Sequence, residues 1–251
     1  MKKFFSILAI AILACSSVFA ADENKVIDKN VNVGVFEKII LKGSDKIVYT
    51  QGDKVSVRIH GVKEQVDSVV VNKNGNTLEV SRKYSINNGM GLRSLFNAIK
   101  NGQKEESLVI YVTSPDIIGI TLMGSGDFVG KGKIDTDNLD IFLQGSGDID
   151  LDDIVCDNIK VKTQGSGDIE INKVESITSD IYLQGSGDIK VRQQNVRKTT
   201  IDLYGSGDID VDCTKCDVIN ANLTGSGDIT ISGSYNKVNK NKRGSGDISL
   251  R

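Results

Sequence analysis

Seven aspartates recur at an almost constant spacing in the C-terminal half of the chain. Each closes a Gly-Ser-Gly-Asp tetrapeptide, and successive copies start 19 to 21 residues apart. If the chain coils with this period, the carboxylates form a column, and carboxylate oxygens are ligands that Ca²⁺ takes. Backbone N–H or serine O–H groups could instead satisfy them, as in Asx turns. The aspartates are Asp127, Asp148, Asp168, Asp188, Asp208, Asp228 and Asp247.

We favour hydrogen-bonded turns over calcium for this column. Glycine-rich calcium solenoids use paired turns, whereas each repeat here has one Asp-bearing turn. Unit charges about 5 Å apart repel by roughly 1 kcal/mol even in a water-like dielectric, so hydrogen-bond donors must offset that repulsion. The aspartates are therefore predicted to be structural, with calcium as the alternative, and no cofactor is predicted.

The segment Cys213-Thr214-Lys215-Cys216 is the second pattern with chemical potential. A redox Cys-x-x-Cys usually opens a helix, which lowers the pKa of one thiol, and no helix is predicted here. Zinc would need two more ligands, and the only histidine of the sequence is His60. A local disulfide between Cys213 and Cys216 suits an oxidising compartment. Cys156 lies three repeats away from Cys216, too far to bridge.

Short β-strands must carry these residues. Alternating apolar and polar runs, such as Ile181-Tyr182-Leu183 and Ile189-Lys190-Val191, precede and follow each tetrapeptide, which is typical of half-buried strands. The same residue types return in every repeat, so coils stacked about 4.8 Å apart would form aliphatic ladders. The period predicts an all-β parallel solenoid with about twenty residues per coil over residues 107–251. The glycines are expected to permit positive φ or close contact between coils.

Residues 21–106 lack the repeat but contain further strand-like runs, which we expect to extend the solenoid at its end. Four residues at helical spacing predict a short helix near 91–100, which would cover the open end of the coil or bind a partner. The strand-like runs are Phe36–Leu41, Lys46–Tyr49, Lys54–Ile59 and Thr77–Val80, and the helical positions are Leu92, Leu95, Phe96 and Ile99.

The first twenty residues have the pattern of a secretory signal peptide. Lys2 and Lys3 precede an apolar stretch, and Val18-Phe19-Ala20 fits a small-x-small cleavage site. Lipidation of Cys15 is the alternative. No later run is long enough to cross a membrane, and a net charge of −2 without a basic patch argues against nucleic-acid binding. The predicted location is the periplasm, the cell surface or the medium.

The combination of motifs resembles the head GIN domain family of auto-transporter adhesins, which is frequent in Bacteroidetes-type bacteria. The resemblance covers nearly the whole mature chain and implies a right-handed β-helix with an irregular β start, in a secreted or surface protein with an adhesin role. The residues that carry it are Phe36-Glu37-Lys38-Ile39, Gln51-Gly52-Asp53, Leu78-Glu79-Val80, Ser114 to Ile120 and the repeated Gly-Ser-Gly-Asp-Ile.

Three outward aromatic residues suggest how such a protein would bind. Phe142, Tyr182 and Tyr204 each adjoin a leucine that should point inward, so their rings should face solvent, where rings can stack on sugars or peptides. We therefore predict an exported, non-catalytic binding or adhesion module of the bacterial envelope or surface. Its partner class would be a host or bacterial surface glycan or protein.

Two other function classes remain open at the level of sequence. A purely structural envelope protein has the same composition. A polysaccharide lyase or hydrolase of the β-helix type would need acidic and basic residues clustered on one face, and the sequence supplies these residue types without a recognisable constellation. The candidates for that chemistry are Asp140, Lys160, Asp180, Arg192 and Arg197.

Overall fold

A computed structural model describes residues 25–83 and 108–251. The predicted signal peptide over residues 1–20, with the alternative site Cys15, lies outside the described residues. The predicted helix near 91–100 lies outside them as well. No helix within the described ranges has the length and apolar character needed to cross a membrane.

The described residues form nineteen β-strands and one short helix. The elements up to the first repeats are β1 (Val26–Val31), β2 (Lys38–Gly43), β3 (Lys46–Gln51), β4 (Ser56–Val62), α1 (Lys63–Ser68), β5 (Val69–Asn74), β6 (Thr77–Arg82), β7 (Val109–Ser114) and β8 (Gly119–Gly124). The next are β9 (Asp127–Asp135), β10 (Asn138–Gly145), β11 (Asp148–Val155), β12 (Asn158–Gly165), β13 (Ile169–Glu175) and β14 (Thr178–Gly185). The last are β15 (Ile189–Gln194), β16 (Lys198–Gly205), β17 (Ile209–Gly225), β18 (Ile229–Gly244) and β19 (Ile248–Leu250).

Each coil of the repeat region places one strand on each of two faces, and both faces are parallel and in register. On the first face β10, β12, β14 and β16 follow one another and continue into the second half of β17. On the second face β11, β13 and β15 continue into its first half. Ile169 lies directly opposite Ile189. The predicted all-β solenoid with stacked isoleucines is therefore confirmed.

The core runs along the inside of the coil as columns of buried aliphatic side chains. One column contains Ile120, Ile141, Val161, Ile181 and Ile201, each at most 1% exposed. Because every coil shares these columns with its neighbours, contacts between coils supply the burial that a single coil lacks.

A small polar network interrupts this apolar core. Gln193 is 2% exposed; its amide donates to the Ser179 hydroxyl at 2.6 Å and accepts from Thr199 at 2.7 Å. Its polar atoms are therefore paired, as burial requires.

The solenoid begins before the first Gly-Ser-Gly-Asp, in the part predicted to extend it. β2 pairs with β8 and β3 pairs with β9, both in parallel. The turn between β2 and β3 is Gly43-Ser44-Asp45, a shortened version of the repeat with one glycine missing. The Asp45 side chain is buried and forms an ion pair with Arg82, with Nε 2.9 Å from Oδ1. The boundary predicted at residue 107 stays a prediction.

Antiparallel strands surround this first coil. β4 pairs with both β1 and β7, and β5 forms a hairpin with β6. The sequence reasoning did not identify β1, β5 or the six-residue helix α1, since none of them follows the twenty-residue period.

In the last coil, lysines take two positions that align with buried aliphatic residues of the preceding coil, but their side chains are exposed. Lys240 aligns with Ala221, and Lys242 aligns with Leu223. Lys240 Nζ donates to the Ile248 carbonyl at 3.3 Å, and Lys242 Nζ donates to Asp247 Oδ1 at 2.8 Å. Both lysine side chains are exposed, and lysines at a sheet edge discourage another strand from adding to it.

Candidate functional site

The Gly-Ser-Gly-Asp turns stack backbone on backbone. The Gly165 carbonyl accepts N–H bonds from Ser186 at 2.9 Å and from Gly187 at 3.3 Å. Gly185 has φ +145°, and a Cβ on Gly187 would lie 2.1 Å from the Gly167 oxygen. A Cβ on Gly185 would likewise lie 1.9 Å from the Gly165 oxygen, so the first glycine is required by both its dihedral angle and the close approach of the preceding coil, and the second by the close approach.

The turn aspartates from Asp148 to Asp247 form a hydrogen-bonded ladder between coils, which does not include Asp127. Asp168 Oδ1 accepts the backbone N–H of Asp188 at 2.7 Å, and Asp188 Oδ1 accepts that of Asp208 at 3.0 Å. The donor therefore comes from the next coil, whereas in a simple Asx turn it would come from the same turn. The same bond links Asp148 to Asp168, Asp208 to Asp228 and Asp228 to Asp247.

This ladder offsets the repulsion expected in a column of carboxylates, because hydrogen bonds to the charged form stabilise it. Within residues 25–83 and 108–251, no group of three or more His, Cys, Asp or Glu side chains could hold a metal ion. The structural role assigned to the seven aspartates, and calcium as its alternative, stay predictions.

The second face carries a concentration of acidic side chains beside this ladder. Asp148, Asp150, Asp168 and Glu170 border a hollow of about 170 Å³. Partial burial raises the pKa of Asp150, and the neighbouring charges of Glu170 and Asp148 raise it further. Lys190 lines the same hollow, so acidic side chains predominate there without being alone.

The residue types proposed for a lyase or hydrolase are divided between the two faces. Asp140, Lys160 and Asp180 lie side by side on successive coils of the first face. Arg192 lies on the second face, where it donates to Asn172 at 2.7 Å and stands 3.8 Å from Glu170. The structure does not assemble these groups into one site.

The three predicted aromatic residues lie on the outer surface of the first face. Their neighbours Leu143, Leu183 and Leu203 are buried, whereas Tyr204 is 43% exposed and Phe142 and Tyr182 are half-buried. Lys162 lies on the same surface, although its sequence position had not marked it as a candidate binding residue.

Lys162 joins two of the rings. Phe142, Lys162 and Tyr182 occupy the same position on three successive coils. Lys162 Nζ lies 5.6 Å from the centre of the Phe142 ring and 5.1 Å from that of Tyr182, within the range of a cation–π contact. Tyr204 stands two positions further along its strand, in the column of Gln184, and its ring centre is 5.5 Å from that of Tyr182 at 39°.

We call Phe142, Lys162, Tyr182 and Tyr204 the aromatic stripe; it crosses four coils, about 14 Å at the usual strand spacing. Its flanks are polar. Gln164 Nε2 donates to Gln184 Oε1 at 3.2 Å on one side, and Lys160 stands between Asp140 and Asp180 on the other. The stripe therefore offers rings, amides and the ammonium group of Lys162, beside a column in which Lys160 has acidic neighbours.

The predicted disulfide partners occupy the corner where β17 passes from the second face to the first. Cys213 and Cys216 are both buried, at 2% exposure, and are present as thiols. Cys156, also a buried thiol, lies at the same corner of an earlier coil. A bond between Cys213 and Cys216 stays a prediction.

The family of this fold is shown by a sequence model that matches residues 35–234 and 176–251. The family is described as "Putative auto-transporter adhesin, head GIN domain". The chain belongs to this family. The predicted resemblance is therefore confirmed over most of the sequence, including the coils that carry the aromatic stripe. No curated protein matches the chain.

Solved structures from Bacteroides and Parabacteroides species share the fold. A "putative adhesin" of Bacteroides fragilis is 26% identical, with a TM-score of 0.71, and the match covers 90% of this chain and 97% of that one. A "putative lipid binding protein" of Parabacteroides distasonis is 23% identical, with a TM-score of 0.70 and coverage of 90% and 96%. A "putative adhesin" of Parabacteroides merdae is 17% identical, with a TM-score of 0.68 and the same coverage.

Proposed function

We propose that this head GIN domain protein is an exported, non-catalytic adhesion module that binds its partner through the aromatic stripe. Membership of an adhesin-named family supports adhesion, and the signal-like pattern of residues 1–20 supports export. The observation that carries the proposal is the continuous surface of rings and a lysine on adjacent coils of a rigid sheet.

The physical properties of this surface favour a hydroxyl-rich ligand such as a surface glycan or glycoprotein. Aromatic rings offer apolar contact area on an otherwise polar surface, and each binds without losing much conformational freedom. The amides of Gln164 and Gln184 can donate to and accept from hydroxyl groups. Because coils stacked in register hold these side chains, little ordering cost remains to be met on binding.

Replacing the three rings tests this proposal. The variant Phe142→Ser, Tyr182→Ser, Tyr204→Ser should keep its fold and lose attachment to mucin, intact cells and a glycan array. Each lost ring contact should weaken binding by roughly 1 kcal/mol, so three rings together should weaken it about a hundredfold or more.

A control triple variant on the other face makes the result specific. Glu170, Lys190 and Asp210 occupy one outward position on three successive coils of the second face, and Glu170→Ser, Lys190→Ser, Asp210→Ser should leave attachment unchanged. Unchanged attachment of the aromatic variant, with an unchanged melting temperature, would contradict the proposal. Wild-type protein that attaches to none of these probes would favour a purely structural envelope protein.

A further inference from the structure

Two thiols meet in the interior near the C-terminal end of the solenoid, where the proposed binding function makes no use of them. Cys213 continues the inner column of Gln193, and Cys216 stands opposite Tyr235 of the last coil. The register of β17 against β18 shifts between the two cysteines, and Lys215 between them has φ +57°. This tight turn places both cysteines on the inside of the same corner, where each is buried.

The surroundings of the two sulfur atoms differ. Hydrogen bonding by the Cys213 thiol, and by the backbone of Val196 and Thr214, favours a thiolate at Cys216. These donors lower the pKa of Cys216 against the opposing effect of burial, with the Cys213 thiol as the largest cause. The same hydrogen bond, together with burial, raises the pKa of Cys213. Cys216 is thus the thiol suited to become the attacking thiolate.

We propose that Cys213 and Cys216 form a redox site in which an intramolecular disulfide locks the C-terminal coils. The oxidant is a disulfide, either a small one such as oxidised glutathione or that of an exported thiol–disulfide oxidoreductase. The Cys216 thiolate attacks one oxidant sulfur, the oxidant S–S bond breaks, and its other sulfur leaves as a thiolate that takes up a proton.

The second step closes the protein disulfide. Cys213 gives up its proton and attacks Cys216 in the mixed disulfide, which releases the second oxidant thiol. Two protein thiols are oxidised and one disulfide is reduced to two thiols. Because both cysteines are buried, the oxidant reaches them when the last coil opens while the corner itself, with Val196 and Thr214, stays folded.

The position of the pair gives the bond its consequence. Coils at the end of a solenoid have one neighbour and open more easily than those inside. The residues after Cys216 form the last coils, which carry the two exposed lysines described above. A bond at Cys213–Cys216 fixes the corner from which these coils start, so it should reduce their opening.

The test compares oxidised and reduced full-length mature chain. The protein is refolded with oxidised and reduced glutathione or with dithiothreitol, denatured, and alkylated. After oxidation only Cys156 should take up the reagent, and the mass should fall by two hydrogen atoms. Hydrogen exchange in residues 217–251 should then be roughly tenfold slower than in the reduced protein, with no change in residues 138–175.

Single variants establish the direction of the exchange. Cys213→Ser should retain glutathione on Cys216 as a mixed disulfide, Cys216→Ser should react much more slowly, and Cys156→Ser should behave like wild type. Alkylation of both Cys213 and Cys216 after refolding with glutathione would overturn the proposal. Equal exchange of residues 217–251 in the two forms would show that the bond locks nothing and would overturn it as well.

Discussion

Gly187→Val should be among the most damaging single substitutions in the repeat region. A Cβ on Gly187 would lie 2.1 Å from the Gly167 oxygen and 2.9 Å from the Gly167 carbonyl carbon. Since both atoms belong to the backbone of the preceding coil, no side-chain rotation can relieve the contact. The two coils must move apart by about 1 Å, a fifth of the usual strand spacing.

The expected cost follows from the hydrogen bonds at this turn. Separation of the coils would weaken the bonds from Ser186 and Gly187 to the Gly165 oxygen, as well as the bond from the Asp188 N–H to Asp168. At about 1 kcal/mol each, with the added strain of a β-branched residue in a tight turn, the free energy of unfolding should fall by about 3–5 kcal/mol. The next coil is packed equally closely, since a Cβ on Gly207 would lie 1.9 Å from the Gly187 oxygen. A shift of the Gly187 backbone should therefore affect the coils on both sides.

Urea denaturation measures the cost, and hydrogen exchange resolved by coil measures its spread. The matched control is Gly132→Ala, where φ is +76° and no atom lies within 4 Å of an added Cβ. That control should cost about 1–2 kcal/mol from the dihedral angle alone. Equal costs for the two variants, or uniform protection across all coils in Gly187→Val, would refute the argument from close approach.

Two further predictions concern titration and metal binding. Burial raises the pKa of Tyr49 to about 12 from 10.0. Between these two values the folded state holds a proton that the unfolded state has lost. The free energy of unfolding that this proton contributes should therefore be fully present below pH 10 and fall by about 1.4 kcal/mol per pH unit between pH 10 and 12. Tyr49→Phe should lose the hydrogen bond to Ser114 at neutral pH but decline less steeply in alkali, and identical slopes in urea titrations would contradict this. Asp188→Ala should lower the free energy of unfolding by around 1 kcal/mol, because the bond to the Asp208 N–H is lost. Relief of the repulsion between neighbouring carboxylates should partly offset this cost. The loss should be the same in EDTA and in calcium. A calcium-dependent rise in the wild-type melting temperature that the substitution abolishes would instead establish a metal site.

The repeat made the fold of residues 107–251 predictable, because identical residue types at a fixed period can stack in only one register. Positions outside that regularity were not predictable in the same way. The turn at Asp45 lacks a glycine, and α1 has no counterpart in the repeat. The alignment of Lys240 and Lys242 with the inner columns can be recognised only once the register is known, because the last coil is one residue shorter than the coil before it.

The aromatic stripe was also predictable only in part from the sequence. Alternation with the buried leucines was enough to place Phe142, Tyr182 and Tyr204 outside the coil. It did not reveal that Tyr204 occupies a different column from the other two. Lys162 was missed because its role depends on the rings of the adjacent coils, which lie twenty residues away on either side. Aligning the repeats column by column would have identified both features.

Hydroxyl-radical footprinting in the presence of mucin tests the central claim most directly, since it reads the exposure of individual aromatic side chains without mutation. If the protein adheres through the stripe, oxidation of Phe142, Tyr182 and Tyr204 should fall when mucin is bound, with the largest change at Tyr204, the most exposed ring of the three. Tyr111 and Tyr235, which lie outside the stripe, should react as in the free protein. Binding of mucin that protects Tyr111 or Tyr235 and leaves the three stripe rings unchanged would contradict the account.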